Sequence, residues 1–164
     1  MQKWQCRWSP TLGTLEATHQ ETWGTDEYTD QERPTVFFGM YGLPDLMAFR
    51  QHKGEKHILW AGSDIRHFDN GYWIDDKGEH WTPPHIWAEW VNTFPNWVEN
   101  EVEARKLAEH GITNVKIVSS FLGDVSKFTP QEIRTDKERY YTSVSGNDFE
   151  LYGWDKVSAI ALKN

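Results

Sequence analysis

Glycines and acidic residues follow two short apolar runs of the chain, in TVFFGMYGLPDL (residues 35–46) and HILWAGSDI (residues 57–65). Glycine lets a ligand approach the backbone closely, and the free amides at the start of a helix attract anions. If both runs are parallel strands, their loops lie at the carboxyl edge of one sheet, where open α/β proteins bind ligands. We therefore predict that the loops Gly39–Asp45, Gly62–Arg66 and, after a later strand, Ser119–Asp124 hold a ligand; the alternative is that they only connect.

Several residues of these loops are individual candidates. In GMYGLP, Gly39, Tyr41 and Gly42 could contact a ligand, but their spacing does not match the G-x-G-x-x-G dinucleotide fingerprint. In the second loop the candidates are Gly62 and Ser63, and Ser63–Asp64 after a strand is also a good start for a helix.

Glu99 and Asn100 precede the clearest predicted helix of the chain, NEVEARKLAEH. Both could face a ligand at a strand end. Asn100 is also a residue type that caps helices, and capping is the role we expect of it.

The order of elements predicts the fold. Thr35–Met40 and His57–Ala61 have the apolar, β-branched and aromatic content of buried strands. Between them PDLMAFRQHKG predicts a helix that begins near Pro44 and is capped by Gly54. A strand, helix, strand order favours a parallel sheet with helices on its faces. The predicted fold class is therefore α/β, a Rossmann-like three-layer α/β/α domain with a mostly parallel sheet.

The pattern continues along the chain. We predict a hairpin or an irregular excursion around DDKG, a helix over PPHIWAEWV, a helix over Asn100–His110 ended by Gly111, and a strand in NVKIVSSF. NTFPNWV predicts a short strand near Phe94, although Pro95 weakens this prediction. RYYTSVSG predicts a last strand and DFELYGWDKVSAIALKN a last helix.

Three segments follow from these patterns. Residues 1–34 are polar with weak turn signals, so we expect an irregular segment or an arm. Residues 35–138 form the predicted Rossmann-like domain. The strand and helix within residues 139–164 either begin a truncated second domain or pack on the first.

Composition excludes several classes of function. The formal net charge is −8 and the cations are scattered, which argues against nucleic-acid binding. No apolar run is long enough to span a membrane, and the N-terminus lacks a signal-peptide stretch, so we expect a cytoplasmic protein. The single cysteine excludes an internal disulfide, and neither the cysteine nor the histidines have a metal-ligand spacing, so no metal site is predicted.

Ten tryptophans are unusual for a chain of this length, and we expect most of them in the core and one or two at a pocket.

Four passages together resemble the N-terminal half of GT-B type glycosyltransferases, which consist of two Rossmann-like domains facing a cleft. The passages are VFFGMYGLPDL, ILWAGSDI, WVENEVEARKLAEHGITNVKIVSSFLGDV and YYTSVSGNDFELYGWDKVSAIA. The last resembles the first strand and helix of the second domain. The rest of a second domain is missing from the sequence, so the resemblance implies an acceptor-domain fragment that is inactive alone.

The resemblance also implies an activity and its residues. It implies hexosyl transfer from a nucleotide-sugar donor to a carbohydrate or other hydroxyl acceptor, with no cofactor. An inverting transferase needs a general base in this domain, for which Asp64 is the first candidate and Asp45 the second. Ser145 and Gly146 would lie near the donor phosphates. The alternative is a Rossmann-type binding module without catalysis.

Overall fold

The computed structural model describes residues 3–15, 23–69, 73–75, 77–81 and 85–118. The chain divides into two units, Met1–Val125 and Ser126–Asn164, and every described residue belongs to the first. The predicted loop Ser119–Asp124, the boundary at residue 138 and the last strand and helix lie outside the described residues.

A parallel sheet is the centre of the described unit. The described strands are Gln5–Trp8 (β1), Asp26–Glu27 (β2), Thr35–Phe38 (β3), Lys56–Leu59 (β4), Trp73–Ile74 (β5), His80–Trp81 (β6), Asn96–Val98 (β7) and Val115–Ile117 (β8). Six of them form the sheet in the order β2-β1-β3-β4-β7-β8, and every neighbouring pair is parallel. The two short strands β5 and β6 pair antiparallel as the predicted hairpin.

Helices connect the parallel strands, as the sequence predicts. The described helices are Leu43–Gln51 (α1), Ser63–Asp69 (α2), His85–Val91 (α3) and Glu101–Glu109 (α4), with a 3₁₀ segment at Pro10–Leu15. A mostly parallel sheet connected by helices is an α/β Rossmann-like fold, so the predicted fold class is confirmed.

Alternation along the strands builds two apolar clusters, one on each face of the sheet. Phe37 and Ile58 point to the face on which α1 to α4 pack, and they belong to a buried cluster with residues of all four helices. Their neighbours Phe38 and Leu59 belong to a second buried cluster on the opposite face. Successive side chains of a strand point to opposite faces, so strands this apolar must be covered on both. Both clusters contain buried tryptophans, and those among the described residues are Trp8, Trp60, Trp73 and Trp87.

The expectation of an irregular segment over residues 1–34 is wrong for Gln5–Trp8. These residues form β1, which lies inside the sheet between β2 and β3. The strand has only four residues, so its alternation of polar Gln5 and Arg7 with apolar Cys6 and Trp8 is too short to stand out in a polar segment.

Two predictions involve Pro95 and Gly54. The short strand predicted near Phe94 exists as β7, and it begins at Asn96, so the missing amide of Pro95 removes no hydrogen bond from the strand. Helix α1 ends at Gln51 with His52 as its C-cap, so Gly54 does not cap it. Gly54 instead lies so close to the Glu32 carbonyl that a β-carbon there would clash.

Helix α4 has the ends that the sequence predicts. Asn100 is its N-cap, and the Asn100 Oδ1 accepts a hydrogen bond from the Glu103 amide at 3.0 Å. At the other end the Gly111 amide bonds to the Ala108 carbonyl and the Ile112 amide to the Leu107 carbonyl, both at 3.0 Å. This pair of bonds is the Schellman motif, which places the buried Ile112 against the core.

Candidate functional site

The topology of the sheet singles out one place for a ligand. From β1 the chain crosses to β2 on one side and then returns to β3 on the other side of β1. The connections after β1 and β3 therefore diverge, which leaves a crevice between their carboxyl ends. Doubly wound sheets bind ligands at this switch point, so the loops that begin at Ser9 and Gly39 are the first place to examine.

Asp45 organises the loop after β3. Its side chain is buried in the first turn of α1. The Oδ1 atom accepts a hydrogen bond from the Arg7 Nη1 at 2.7 Å, and the Oδ2 atom accepts one from the Ser9 hydroxyl at 2.8 Å and one from the Tyr41 amide at 3.0 Å. Asp45 thus joins β1, the residue that follows β1 and the loop after β3.

Asp64 does the same one strand further along the sheet. It is 0% exposed. Its Oδ1 accepts hydrogen bonds from the Ala61 amide at 3.0 Å and the Ile65 amide at 2.8 Å, and its Oδ2 accepts one from the Met40 amide at 2.8 Å. Burial raises the pKa of Asp64 to about 6, against the opposing effect of these three amide bonds, and the nearby Glu103 charge raises it further.

Glycine is required where the loop leaves β3. Gly39 has φ +84°, and a β-carbon there would lie 2.9 Å from the Leu12 Cδ1, 2.9 Å from the Tyr41 Cε2 and 3.2 Å from the Ser9 Cβ. An L-residue would therefore meet both an unfavourable backbone conformation and three close contacts. The position is glycine because the loops after β1 and β3 pack directly against each other.

A cleft of about 140 Å³ opens at the switch point. We call it the switch-point cleft. Asp75, from the β5–β6 hairpin, lies at its rim, and the Asp75 Oδ1 accepts hydrogen bonds from the Lys77 amide at 2.9 Å and the Glu79 amide at 2.8 Å. The lining residues are Ser9, Pro10, Thr11, Tyr41, Gly42, Pro44, Asp45 and Asp75.

A second and larger cleft, of about 450 Å³, lies between α2 and α4 beyond the ends of β4 and β7. We call it the α2/α4 cleft. Gly62 opens it with φ +81°, and a β-carbon there would lie 2.8 Å from the Glu103 Oε1. The lining residues are Gly62, Ile65, Arg66, Asn100, Val102, Glu103 and Lys106.

A pair of hydroxyl groups separates the two clefts. The Tyr41 hydroxyl, from the switch-point side, hydrogen-bonds the Ser63 hydroxyl, which follows Gly62 in the chain. The Tyr41 ring also meets the His67 ring edge-on with centroids 5.7 Å apart. Burial is the main cause of a raised Tyr41 pKa, so the phenol stays neutral at pH 7 and serves as a hydrogen-bonding group.

The predicted site residues therefore fall into two groups. Tyr41, Gly42 and Asp45 line the switch-point cleft, with Gly39 at the base of the same loop. Gly62 and Asn100 line the α2/α4 cleft. Of the remaining candidates, Ser63 bonds Tyr41 across the two loops, and Asp64 is enclosed behind the loops. Glu99 is exposed, and its amide donates to the Glu103 Oε2 at 2.9 Å. Ser145 and Gly146 lie outside the described residues.

Sequence reasoning missed four residues in or next to the switch-point cleft. Arg7 lies in β1, and Ser9 and Thr11 follow it, in a segment expected to be irregular. The signal that could have found them is the alternation of Cys6 and Trp8 before Ser9–Pro10. Asp75 was interpreted only as part of a hairpin, and no local pattern places that hairpin beside the switch point.

The site carries the features of a binding crevice in a Rossmann-like α/β domain. In the described part of the chain, no three histidine, cysteine, aspartate or glutamate residues are arranged to hold a metal ion. None of the helices described has the length and apolar content needed to cross a bilayer. A scan against protein-family models found no match, and searches of curated proteins and of solved structures found none either.

Proposed function

We propose that this domain is a binding module for a small hydroxylated ligand, of the size and polarity of a sugar, in the switch-point cleft. The observation that carries the proposal is the convergence of carboxylate and hydroxyl groups at the switch point. Asp75 supplies a carboxylate and Ser9, Thr11 and Tyr41 supply hydroxyls, while Asp45, whose two oxygens already accept hydrogen bonds within the fold, holds the lining loops in place. Carboxylates accept hydrogen bonds only, which suits a ligand rich in hydroxyl donors.

The charge of the cleft favours a neutral ligand over an anionic one. Arg7 reaches the cleft only through its ion pair with Asp45, at 2.7 Å, and both side chains are largely buried. Among the described residues that line the cleft, none is cationic. A phosphate or a carboxylate would therefore meet acidic groups without a compensating charge.

The surroundings of the two candidate bases favour binding over catalysis. A general base must reach the proton that it abstracts. Asp64 is fully enclosed, and its two oxygens accept three backbone amides. Asp45 is nearly as buried and is held by Arg7, Ser9 and the Tyr41 amide. Both carboxylates are placed to hold loops, which supports the binding module over sugar transfer; glycosyltransferase activity stays a prediction.

A ligand titration tests the proposal. Neutral mono- and disaccharides are titrated into the protein while amide resonances are followed by NMR, and UDP-, GDP- and ADP-sugars are titrated in parallel. We expect a neutral carbohydrate to shift the resonances of Thr11, Tyr41 and Gly42. The proposal fails if no neutral carbohydrate does so, and binding of nucleotide sugars alone would favour the transferase.

A matched pair of variants locates the site. Asp75→Asn keeps an oxygen for the turn amides but removes the charge at the cleft, so we expect affinity to fall by about tenfold, the value of one lost charge-assisted hydrogen bond. Asp30→Asn is the control, because Asp30 also accepts a turn amide, that of Glu32, at 2.8 Å, and does not line the cleft. Equal affinities of the two variants would place the ligand elsewhere.

A further inference from the structure

We propose that the α2/α4 cleft is a separate binding site for a small molecule carrying a carboxylate or phosphate group, with Arg66 as its principal contact. The inference does not depend on the proposed function, because it concerns a different cleft and an anionic ligand in place of a neutral one. It rests on the size of this cleft, on the charges of its walls and on the way its single acidic lining residue is held.

The cleft has room for a metabolite. Its volume of about 450 Å³ is roughly three times that of the switch-point cleft, at about 140 Å³. Ile65 is buried in the wall from α2, whereas Val102 on α4 is 59% exposed at the mouth. An apolar wall with a few polar groups at fixed positions is the usual composition of a small-molecule site.

Two cations line the cleft. Arg66 is exposed, and none of the ion pairs between described residues includes it. It lines the cleft together with Gly62, in the loop after β4. Lys106 lies one turn beyond Val102 and pairs with Glu109 at 3.1 Å on the surface of α4. The guanidinium of Arg66 is therefore the group available for a bidentate contact with an anion.

The acidic lining residue is already engaged. The Glu103 Oε2 accepts a hydrogen bond from the Glu99 amide at 2.9 Å, and the Glu103 amide donates to Asn100 at 3.0 Å. This arrangement holds the Glu103 carboxylate against the first turn of α4, where it also lies over Gly62. Of the two lining cations, Lys106 is already paired with Glu109, so an anion seated at Arg66 supplies a partner for a guanidinium that has no carboxylate partner among the described residues.

Titrations with inorganic phosphate and with citrate test the inference on the whole chain. We expect either anion, in the millimolar range, to shift the amide resonances of Gly62, Arg66 and Asn100, and we expect added salt to weaken the effect. Binding of phosphate alone or of citrate alone identifies the preferred group and supports the site. If neither anion shifts these resonances, the inference is wrong. Because the proposed function is measured with neutral carbohydrates, the two can fail independently.

Three variants sharpen the test. Arg66→Gln should weaken anion binding by about tenfold or more, since it removes the charge and the bidentate contact. Val102→Trp keeps both cations but fills the mouth of the cleft, so it should also abolish binding. Arg50→Gln is the matched control, because Arg50 is an exposed arginine that lines a different groove, between α1 and α3. An Arg66→Gln variant that binds as tightly as Arg50→Gln would overturn the inference.

Discussion

Asp64 makes the stability of the domain depend on pH in an unusual direction. In the folded chain its pKa is raised to about 6, compared with 3.8 for an unperturbed aspartate, mainly because burial disfavours the charged carboxylate. Between these two values the folded state holds a proton that the unfolded state has lost. Protons therefore favour folding in this range, and the contribution of Asp64 to the free energy of unfolding rises as the pH falls from about 6 towards 4.

The size of the effect follows from the same two values. One unit of pKa difference corresponds to 1.36 kcal/mol, so a difference of about two units corresponds to about 3 kcal/mol once the pH lies below both values, and about 2 kcal/mol of this develops between pH 7 and pH 4. Asp64→Asn removes the titration. It also sets an amide NH₂ group against at least one backbone amide donor, which costs about 1 to 3 kcal/mol at every pH. The pH-dependent and pH-independent parts of the change in unfolding free energy can therefore be separated.

Urea unfolding of the wild type and of Asp64→Asn at intervals from pH 4 to pH 7.5 measures both parts. The difference in unfolding free energy between the two proteins should grow by about 2 kcal/mol as the pH is lowered, because all other titrations cancel. Asp64→Ala should show the same growth with a different offset. The midpoint of the Asp64 carboxyl resonance in NMR should lie near pH 6. Parallel stability curves for the wild type and both variants would refute the reasoning.

Three other perturbations test the architecture of the carboxyl edge by urea unfolding. Asp45→Ala should lower stability by about 3 to 5 kcal/mol, because it leaves the largely buried Arg7 guanidinium without its partner; a loss below 1 kcal/mol would show that water replaces the carboxylate. Gly62→Ala should lower stability by about 1 to 2 kcal/mol because the backbone there is left-handed. The new methyl group should also displace the Glu103 side chain, which then loses its hydrogen bond to the Glu99 amide. Asn100→Ala should cost about 1 kcal/mol and Asn100→Ser much less, since serine can still cap α4; equal losses would contradict the capping role.

Much of the fold could be predicted because the strands are buried on both faces. A run such as Val36–Phe38 has the same apolar character whichever face each residue meets, so it identifies a parallel strand without any knowledge of its neighbours. Helix α4 was equally predictable, since Asn100 and Gly111 are local signals whose hydrogen bonds form within the helix ends.

The predictions that failed concern positions whose structure depends on contacts with residues distant in the sequence. Gly54 has the residue type of a helix cap, but its backbone lies against Glu32, which the sequence around it does not reveal. Strand β1 is short, and two of its four side chains are polar because they meet other polar groups: Gln5 bonds the Thr35 hydroxyl at 2.9 Å and Arg7 bonds Asp45. Polar pairs buried across a sheet carry no sequence pattern of their own.

The same limit explains why the sequence could not decide the role of the two aspartates. A carboxylate that follows a buried strand has the same local sequence whether it faces a substrate or the backbone. The structure shows that each one reaches back to the neighbouring strand: Asp64, after β4, binds the Met40 amide in the loop after β3, and Asp45, after β3, binds Arg7 in β1 and Ser9.

These bonds form a continuous chain across the carboxyl edge. Met40 is held by Asp64 and its neighbour Tyr41 by Asp45, so the loop after β3 is fixed by two carboxylates from successive helices. The same loop supplies Tyr41 and Gly42 to the switch-point cleft. A loop fixed before the ligand arrives loses less conformational entropy on binding, and that loss is one of the main costs of association. A protonated or substituted Asp64 should therefore weaken binding in a cleft that Asp64 itself does not line.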